Sequence, residues 1–308
     1  MKWFVLMLAL IAADPVLAAQ KRIALTFDDV PRAAGAFLTP ADRRMRLIAA
    51  LKVARVKAAF FVNPGRLARP DDPALADEIM AYARAGLIIA IHSYSHPTLS
   101  EMPLATYLLD VDKAVSWLHG RHNARAWYRF PYLDEGGNDA AKRDGMRAAL
   151  KVRGIMAAPI TVDAWDWNLE ERAVKAVTAG SAVNREALIG LCVRGYVEAA
   201  NAADAFAKQI LGRSIAQVML LHEADVTTLC LPDLIGALRA DGWQIVSPHR
   251  AYRDPVYRIE PQSLPAGGPL LDAIARDRGI ALPFGIRYND PAVSNALFDR
   301  EVLGKVST

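Results

Sequence analysis

Seven short apolar runs punctuate the chain, and segments with helical spacing fill the gaps between them. The runs are Arg22 to Phe27, Lys57 to Val62, Leu87 to Ile91, Ala126 to Phe130, Gly154 to Ala158, Ala216 to Leu221 and Trp243 to Val246. The segments Asp42 to Ala54, Pro73 to Ala85, Leu104 to His119, Asp139 to Val152 and Pro232 to Ala240 read as helices. Regular alternation implies parallel strands, because a parallel partner is reached only through a long crossover. The expected class is therefore α/β. About seven parallel strands suit a barrel better than a two-layer domain, with an open doubly wound sheet as the alternative that periodicity leaves standing. The stretch from Asn168 to Gly212 is helix-rich without a strand pattern, and reads as a helical insertion (168–212). A tail rich in Pro and Gly follows Val246, so 249–308 reads as a C-terminal extension to a main domain spanning 20–248.

A hydrophobic share of 53% and a charged share of 23% suit a chain that buries a core. Its 37 basic and 33 acidic residues nearly balance, and no basic run is interleaved with aromatics, so nucleic acid is not an expected partner. The first nineteen residues, MKWFVLMLALIAADPVLAA, place a lysine before an apolar stretch that ends in small residues. That is the layout of a secretory signal peptide (1–19), and Asp14 and Pro15 argue against a membrane anchor. No later run is long enough to predict a transmembrane helix. Cys192 and Cys230 are the two cysteines, and in an exported chain they either pair or stay as buried thiols.

Parallel α/β folds collect functional groups at the carboxyl ends of their strands. Asp28 and Asp29 end the first run, His92 and His96 follow the third, Arg129 to Tyr132 end the fourth, Asp163 to Trp167 follow the fifth, and His222 ends the sixth. Two imidazoles and a carboxylate close three positions around a divalent ion and leave the rest for water and substrate. Adjacent strand residues point to opposite sides, so one aspartate is expected on the metal and the other toward the attacking water. His92 and His96, four apart, are expected on one face of a helical turn. Ser93 follows His92, so the zinc-protease helix pattern is absent. Core or capping roles compete for each of these residues. His222 suits a general acid. His119 and His122 read as solvated loop residues, and His249 as a tail residue without a catalytic role. A buried carboxylate base needs a cation and a histidine acid needs a carboxylate, roles that Arg129 and Asp166 could fill; ordinary structural ion pairing is the alternative. Trp165 and Trp167 are either sugar-stacking platforms or core residues.

TFDD (26–29), HSYSH (92–96), RFPY (129–132), DAWDW (163–167) and LLH (220–222) resemble, in order, the five motifs of the polysaccharide deacetylases. These are the NodB-homology enzymes of carbohydrate esterase family four, and the resemblance spans Lys21 to Pro248. It implies a distorted (β/α) barrel, and a divalent ion, zinc first with cobalt, nickel or manganese as alternatives, on Asp29, His92 and His96. It makes Asp28 the general base and His222 the general acid, with Arg129 holding Asp28 and Asp166 tuning His222. It gives the backbone N–H of Tyr132 the oxyanion, and lines the groove with Pro131, Tyr132 and Trp167. The implied reaction is hydrolysis of an N-acetyl group, or in some relatives an O-acetyl group, on an acetylated glycan met by a periplasmic or secreted protein: peptidoglycan, a chitin-like oligomer or an exopolysaccharide. His222 favours the N-acetyl case, since an amine is the poorer leaving group. A cyclic-amide hydrolase of the same fold fits poorly with export, and an inactive glycan-binding protein fits poorly with an intact residue set. Two features depart from the family pattern: Ile91 precedes the first histidine where Asn or Asp is usual, and the interval from Trp167 to His222 is long.

Overall fold

A computed structural model describes residues 20–67, 73–282 and 290–305; the expected leader, 1–19, lies outside the described residues. The strands are β1 (Arg22–Val30), β2 (Ala59–Val62), β3 (Ile88–Ile91), β4 (Ala124–Tyr128), β5 (Asp134–Gly137), β6 (Met156–Ala157), β7 (Ala216–His222), β8 (Gln244–Ile245) and β9 (Ala266–Gly267). The helices are α1 (Pro40–Val53), α2 (Pro73–Arg84), α3 (Leu104–Leu118), α4 (Ala140–Val152), α5 (Asp166–Thr178), α6 (Arg185–Leu211), α7 (Asp225–Ala240), α8 (Pro248–Ala251), α9 (Leu270–Asp277) and α10 (Pro291–Leu297).

The main sheet runs β6-β4-β3-β2-β1-β7, with β8 alongside the start of β1. Every pairing in it is parallel. Ile23, Ala24, Leu25 and Phe27 of β1 are fully buried, which explains an apolar run instead of an alternating one: both faces of a parallel sheet are covered. Phe27 stacks on Phe60, and Phe60 on Tyr82, with centroids 4.7 and 4.0 Å apart, so aromatic packing fixes the floor beneath the end of β1.

One segment closes the curl. Met156–Ala157 pairs with β4 at one edge, and Val162 bridges Met219 of β7 at the other. The Leu220 N–H donates to the Val162 carbonyl at 2.8 Å. A segment that touches both edges makes the sheet a distorted (β/α) barrel and removes the open doubly wound alternative.

Several boundaries differ from the sequence reading. The helix expected from Pro232 begins at Asp225 and carries Pro232 inside. Proline costs that helix one backbone bond, but Val226, Cys230, Leu231 and Leu234 are fully buried, and tertiary burial outweighs the local penalty. β5 and β9 form an antiparallel pair that the glycine-rich sequences DEGG and AG gave no reason to expect. The helix-rich stretch holds most of α5 and all of α6, which form the crossover into β7. Cys192 on α6 and Cys230 on α7 are joined by a disulfide. Residues after 248 join the same core: Tyr252, Val256, Leu271, Ile274 and Phe298 are buried in it.

Candidate active site

The site stands at the carboxyl rim of the barrel, where the backbone departs from regular structure. Asp29, Ser93, His96, Tyr132, Leu133 and Trp165 all have positive φ, between 53 and 68°. Such backbone costs on the order of 1–3 kcal/mol per non-glycine residue and persists only where surrounding structure enforces it.

At the end of β1 the register against β2 slips between Phe27 and Val30, and Asp29 turns to φ 68°. The bulge cancels strand alternation. Asp28 and Asp29 therefore do not diverge as the sequence suggested. His92 Nε2 lies 3.8 Å from Asp28 Oδ2 and 3.7 Å from Asp29 Oδ1, so both carboxylates face one imidazole.

The two histidines do not share a helical turn either. His92 follows β3 directly and His96 sits in a loop without helix. Ser93 turns to φ 67°, its Oγ accepts from the His96 N–H at 2.9 Å, and Asp110 accepts from the Tyr94 N–H at 2.7 Å. Asn63, fully buried after β2, donates through Nδ2 to the His92 carbonyl. The loop thus bends His96 back over the site: its Nε2 lies 3.0 Å from Asp29 Oδ1. Ile91 packs in the core with the rest of β3, so Asn63, from the neighbouring strand, supplies the polar support beside His92.

Asp29, His92 and His96 present ligand atoms all within 4.8 Å of one another. His92 Nδ1 lies 2.9 Å from the Arg129 carbonyl, an arrangement that places the ring proton there and leaves the Nε2 lone pair facing inward. Burial, with the nearby His96, pushes the His92 pKa well down, so the ring is neutral. Asp29 Oδ1 is buried and accepts no well-aligned hydrogen bond, although the His96 ring nitrogen and Arg66 Nη1 stand 3.0 and 3.1 Å away. Against the burial penalty, His96, His222, Arg66 and His92 hold the Asp29 carboxyl well below its usual range. A buried carboxylate oxygen that faces two imidazole nitrogens and accepts no well-aligned hydrogen bond fits a divalent cation.

Asp28 lies behind this group, buried, with both oxygens 3.2 Å from Arg129 Nη1. Burial raises its pKa to about 6 while Arg129 and His222 oppose the rise. Arg129 is itself fixed: Nε donates to the Ala158 carbonyl and Nη2 to the Tyr252 hydroxyl at 2.9 Å. Tyr252 comes from the tail and was not among the residues the motifs single out; a tyrosine buried to serve an arginine leaves no spacing signature.

Across the cleft, His222 Nδ1 is 2.6 Å from Asp166 Oδ1, while Asp166 Oδ2 accepts from the His222 N–H at 2.7 Å. Burial alone would depress the imidazole, but Asp166 outweighs it and the pKa rises to about 9. Asp163 lines the same cleft, its carboxyl pushed to about 6 by burial. Tyr132, 67% exposed, sets its ring edge-on to His96 with centroids 4.6 Å apart. Pro131 precedes it and is buried. Trp167 is 40% exposed and lies 5.6 Å from Trp165, so both indoles belong to the cleft wall and not to the core. These groups enclose a cleft of about 480 Å³. His119, His122 and His249 are exposed and lie outside it. Arg32 and Arg66 also reach the cleft, although nothing in the motif pattern points to them.

Comparison with known proteins bears out the resemblance. Residues 17–149 match the family described as polysaccharide deacetylase. No curated protein matches the chain. Among solved structures, the catalytic domain of a peptidoglycan N-acetylglucosamine deacetylase from Eubacterium rectale is similar at 20% identity and a TM-score of 0.50, covering 77% of this chain and 92% of that one. A chitin deacetylase from the fungal pathogen Colletotrichum lindemuthianum is similar at 20% identity and a TM-score of 0.50, covering 76% and 88%. At that identity the structural likeness speaks for the fold.

Proposed function

We propose that this chain, a polysaccharide deacetylase by family, hydrolyses acetyl groups on an amino-sugar glycan, N-acetyl groups by preference. The observation that carries the reading is the convergence of Asp29, His92 and His96 on one point, with Asp28 and His222 flanking it. Asp29, His92 and His96 would hold a divalent ion, and mixed imidazole and carboxylate donors suit zinc, cobalt, nickel or manganese. Such an ion supplies Lewis acidity at the acetyl carbonyl and makes a neighbouring water acidic.

The chain's own residues do the rest. Asp28, kept ionised by Arg129, takes the proton from the attacking water. The negative charge that develops on the acetyl carbonyl oxygen would face the Tyr132 backbone N–H, a contact worth roughly 3–4 kcal/mol in comparable sites. His222, protonated at neutral pH because Asp166 holds its charge, delivers a proton to the departing nitrogen. An amine leaves poorly without that proton, which is why a strongly held imidazolium favours amide over ester cleavage. Trp167 and Tyr132, both exposed on the cleft, offer faces on which a sugar ring can stack. The Cys192–Cys230 disulfide supports an oxidising compartment, outside the cytoplasm. Among the described residues no helix is long and apolar enough to cross a membrane.

Acetate release from N-acetylglucosamine oligomers, followed with and without a chelator and in Asp28→Asn, tests the proposal. Release that survives both the chelator and the substitution would sink it.

A further inference from the structure

Two arginines reach the cleft without a part in the hydrolysis. Arg32 follows β1, and Arg66 follows β2 in a turn where Gly65 approaches Tyr94 so closely that a Cβ would stand 2.8 Å from its carbonyl oxygen. Each guanidinium takes one oxygen of the same carboxylate: Arg32 Nη1 is 3.1 Å from Asp29 Oδ2, and Arg66 Nη1 is 3.1 Å from Asp29 Oδ1. Their side chains are 28% and 30% exposed, so both remain open to solvent. Both also line a second hollow of about 820 Å³ that shares Asp29 with the first. They stand where the two hollows meet.

A single carboxylate carries one negative charge, too little to balance a divalent ion and two guanidinium groups together. When Asp29 donates to an ion, its charge is committed, and two further cations are left beside the same oxygens. Such a group calls for another anion. The geometry toward Asp29 already displays the kind: one guanidinium on each oxygen of a carboxylate. The acidic residues of the second hollow are engaged elsewhere. Glu171 pairs with Lys175 at 2.9 Å, Glu78 with Arg44 at 3.6 Å, and Glu170 accepts from the Val226 N–H at 2.9 Å.

We propose that Arg32 and Arg66 select an acidic glycan, binding a carboxylate on the sugar that flanks the acetylated one. The inference rests on the deacetylase reading and narrows its substrate class. A neutral polymer leaves both guanidinium groups uncompensated, whereas alternating acetamido and uronic sugars place a carboxylate one ring away.

The test compares two probes on the zinc-loaded protein by calorimetric titration: a hyaluronan tetrasaccharide, which alternates N-acetylglucosamine with glucuronate, and chitotetraose, which is neutral. The acidic probe should bind on the order of 10–100-fold more tightly, as expected of two charge-assisted contacts. That preference should shrink as salt is raised toward about 0.5 M. It should fall close to one in the Arg32→Gln, Arg66→Gln double variant. Equal or tighter binding of chitotetraose by the unaltered protein overturns the inference, as does a preference that survives the double substitution. The salt series on the unaltered protein keeps the test decisive if the double variant misfolds. If chitotetraose binds and releases acetate without any acidic preference, only this inference falls. If neither probe binds to folded, zinc-loaded protein, the deacetylase reading falls with it.

Discussion

The Asp166–His222 pair makes a prediction that needs no substrate. His222 Nδ1 lies 2.6 Å from Asp166 Oδ1, and the imidazole pKa rises from 6.5 to about 9 despite burial. The difference corresponds to about 3 kcal/mol of preference for the charged ring. A histidine whose folded pKa lies above its unfolded value stabilises the fold fully below about pH 6.5, and that contribution is lost as pH rises through about 9. Asp166→Asn keeps one carbonyl acceptor and removes the charge, the largest of the effects that raise the imidazole. In the metal-free variant His222 should therefore titrate well below 9, and the decline of thermal stability between neutral pH and about pH 9 should flatten. Long-range proton–nitrogen correlation spectra of the imidazole rings read the titration directly, and calorimetric melts read the stability. A His222 that titrates near 9 in both proteins would refute the account, because the charge would then come from somewhere other than Asp166. One that titrates near 6.5 in the unaltered protein would refute the pairing itself.

Three further outcomes follow from the same geometry. Asn63→Ala removes the side chain that braces the His92 carbonyl, and should weaken divalent-ion affinity roughly 10–100-fold in a zinc titration without touching a ligand. Arg32→Gln with Arg66→Gln should act in the opposite direction, tightening zinc binding, because two like charges that share the carboxylate of Asp29 are removed. Phe60→Ala, which opens the stack between Phe27 and Tyr82, should cost about 3–5 kcal/mol in denaturant melts and loosen the floor beneath Asp28.

The fold was legible wherever burial imposes a pattern. β1, β2, β3 and β7 lie where the apolar runs predict them, since a strand covered on both faces must be apolar throughout. Helix α7 was misplaced because Pro232 reads locally as a start, while the burial of Val226 and Cys230 is a tertiary fact. The β5–β9 pair was invisible because its strands, DEGG and AG, are short and glycine-rich and carry no apolar alternation. Closure of the barrel depends on Val162 meeting Met219, a contact between segments far apart in the chain that no periodicity encodes.

At the candidate site, which residues gather on one rim was readable and their directions were not. Strand alternation sends Asp28 and Asp29 apart and helical spacing aligns His92 with His96, yet both rules presuppose regular backbone. The rim is irregular by construction: Asp29, Ser93 and His96 each sit at positive φ, and each turns a side chain inward that regular geometry would send elsewhere. What enforces those turns comes from outside the motifs, namely Asn63 behind His92 and Asp110 beneath Tyr94. Tyr252 plays the corresponding part behind Arg129. Supporting groups of this kind answer to position in three dimensions and need no fixed spacing from the residues they hold. The same reasoning covers Arg32 and Arg66, which reach Asp29 from two different loops. Under the proposed function the five motifs carry the hydrolysis, so features that set this chain's own substrate have to lie between them, and the charged junction beside Asp29 is the one proposed here.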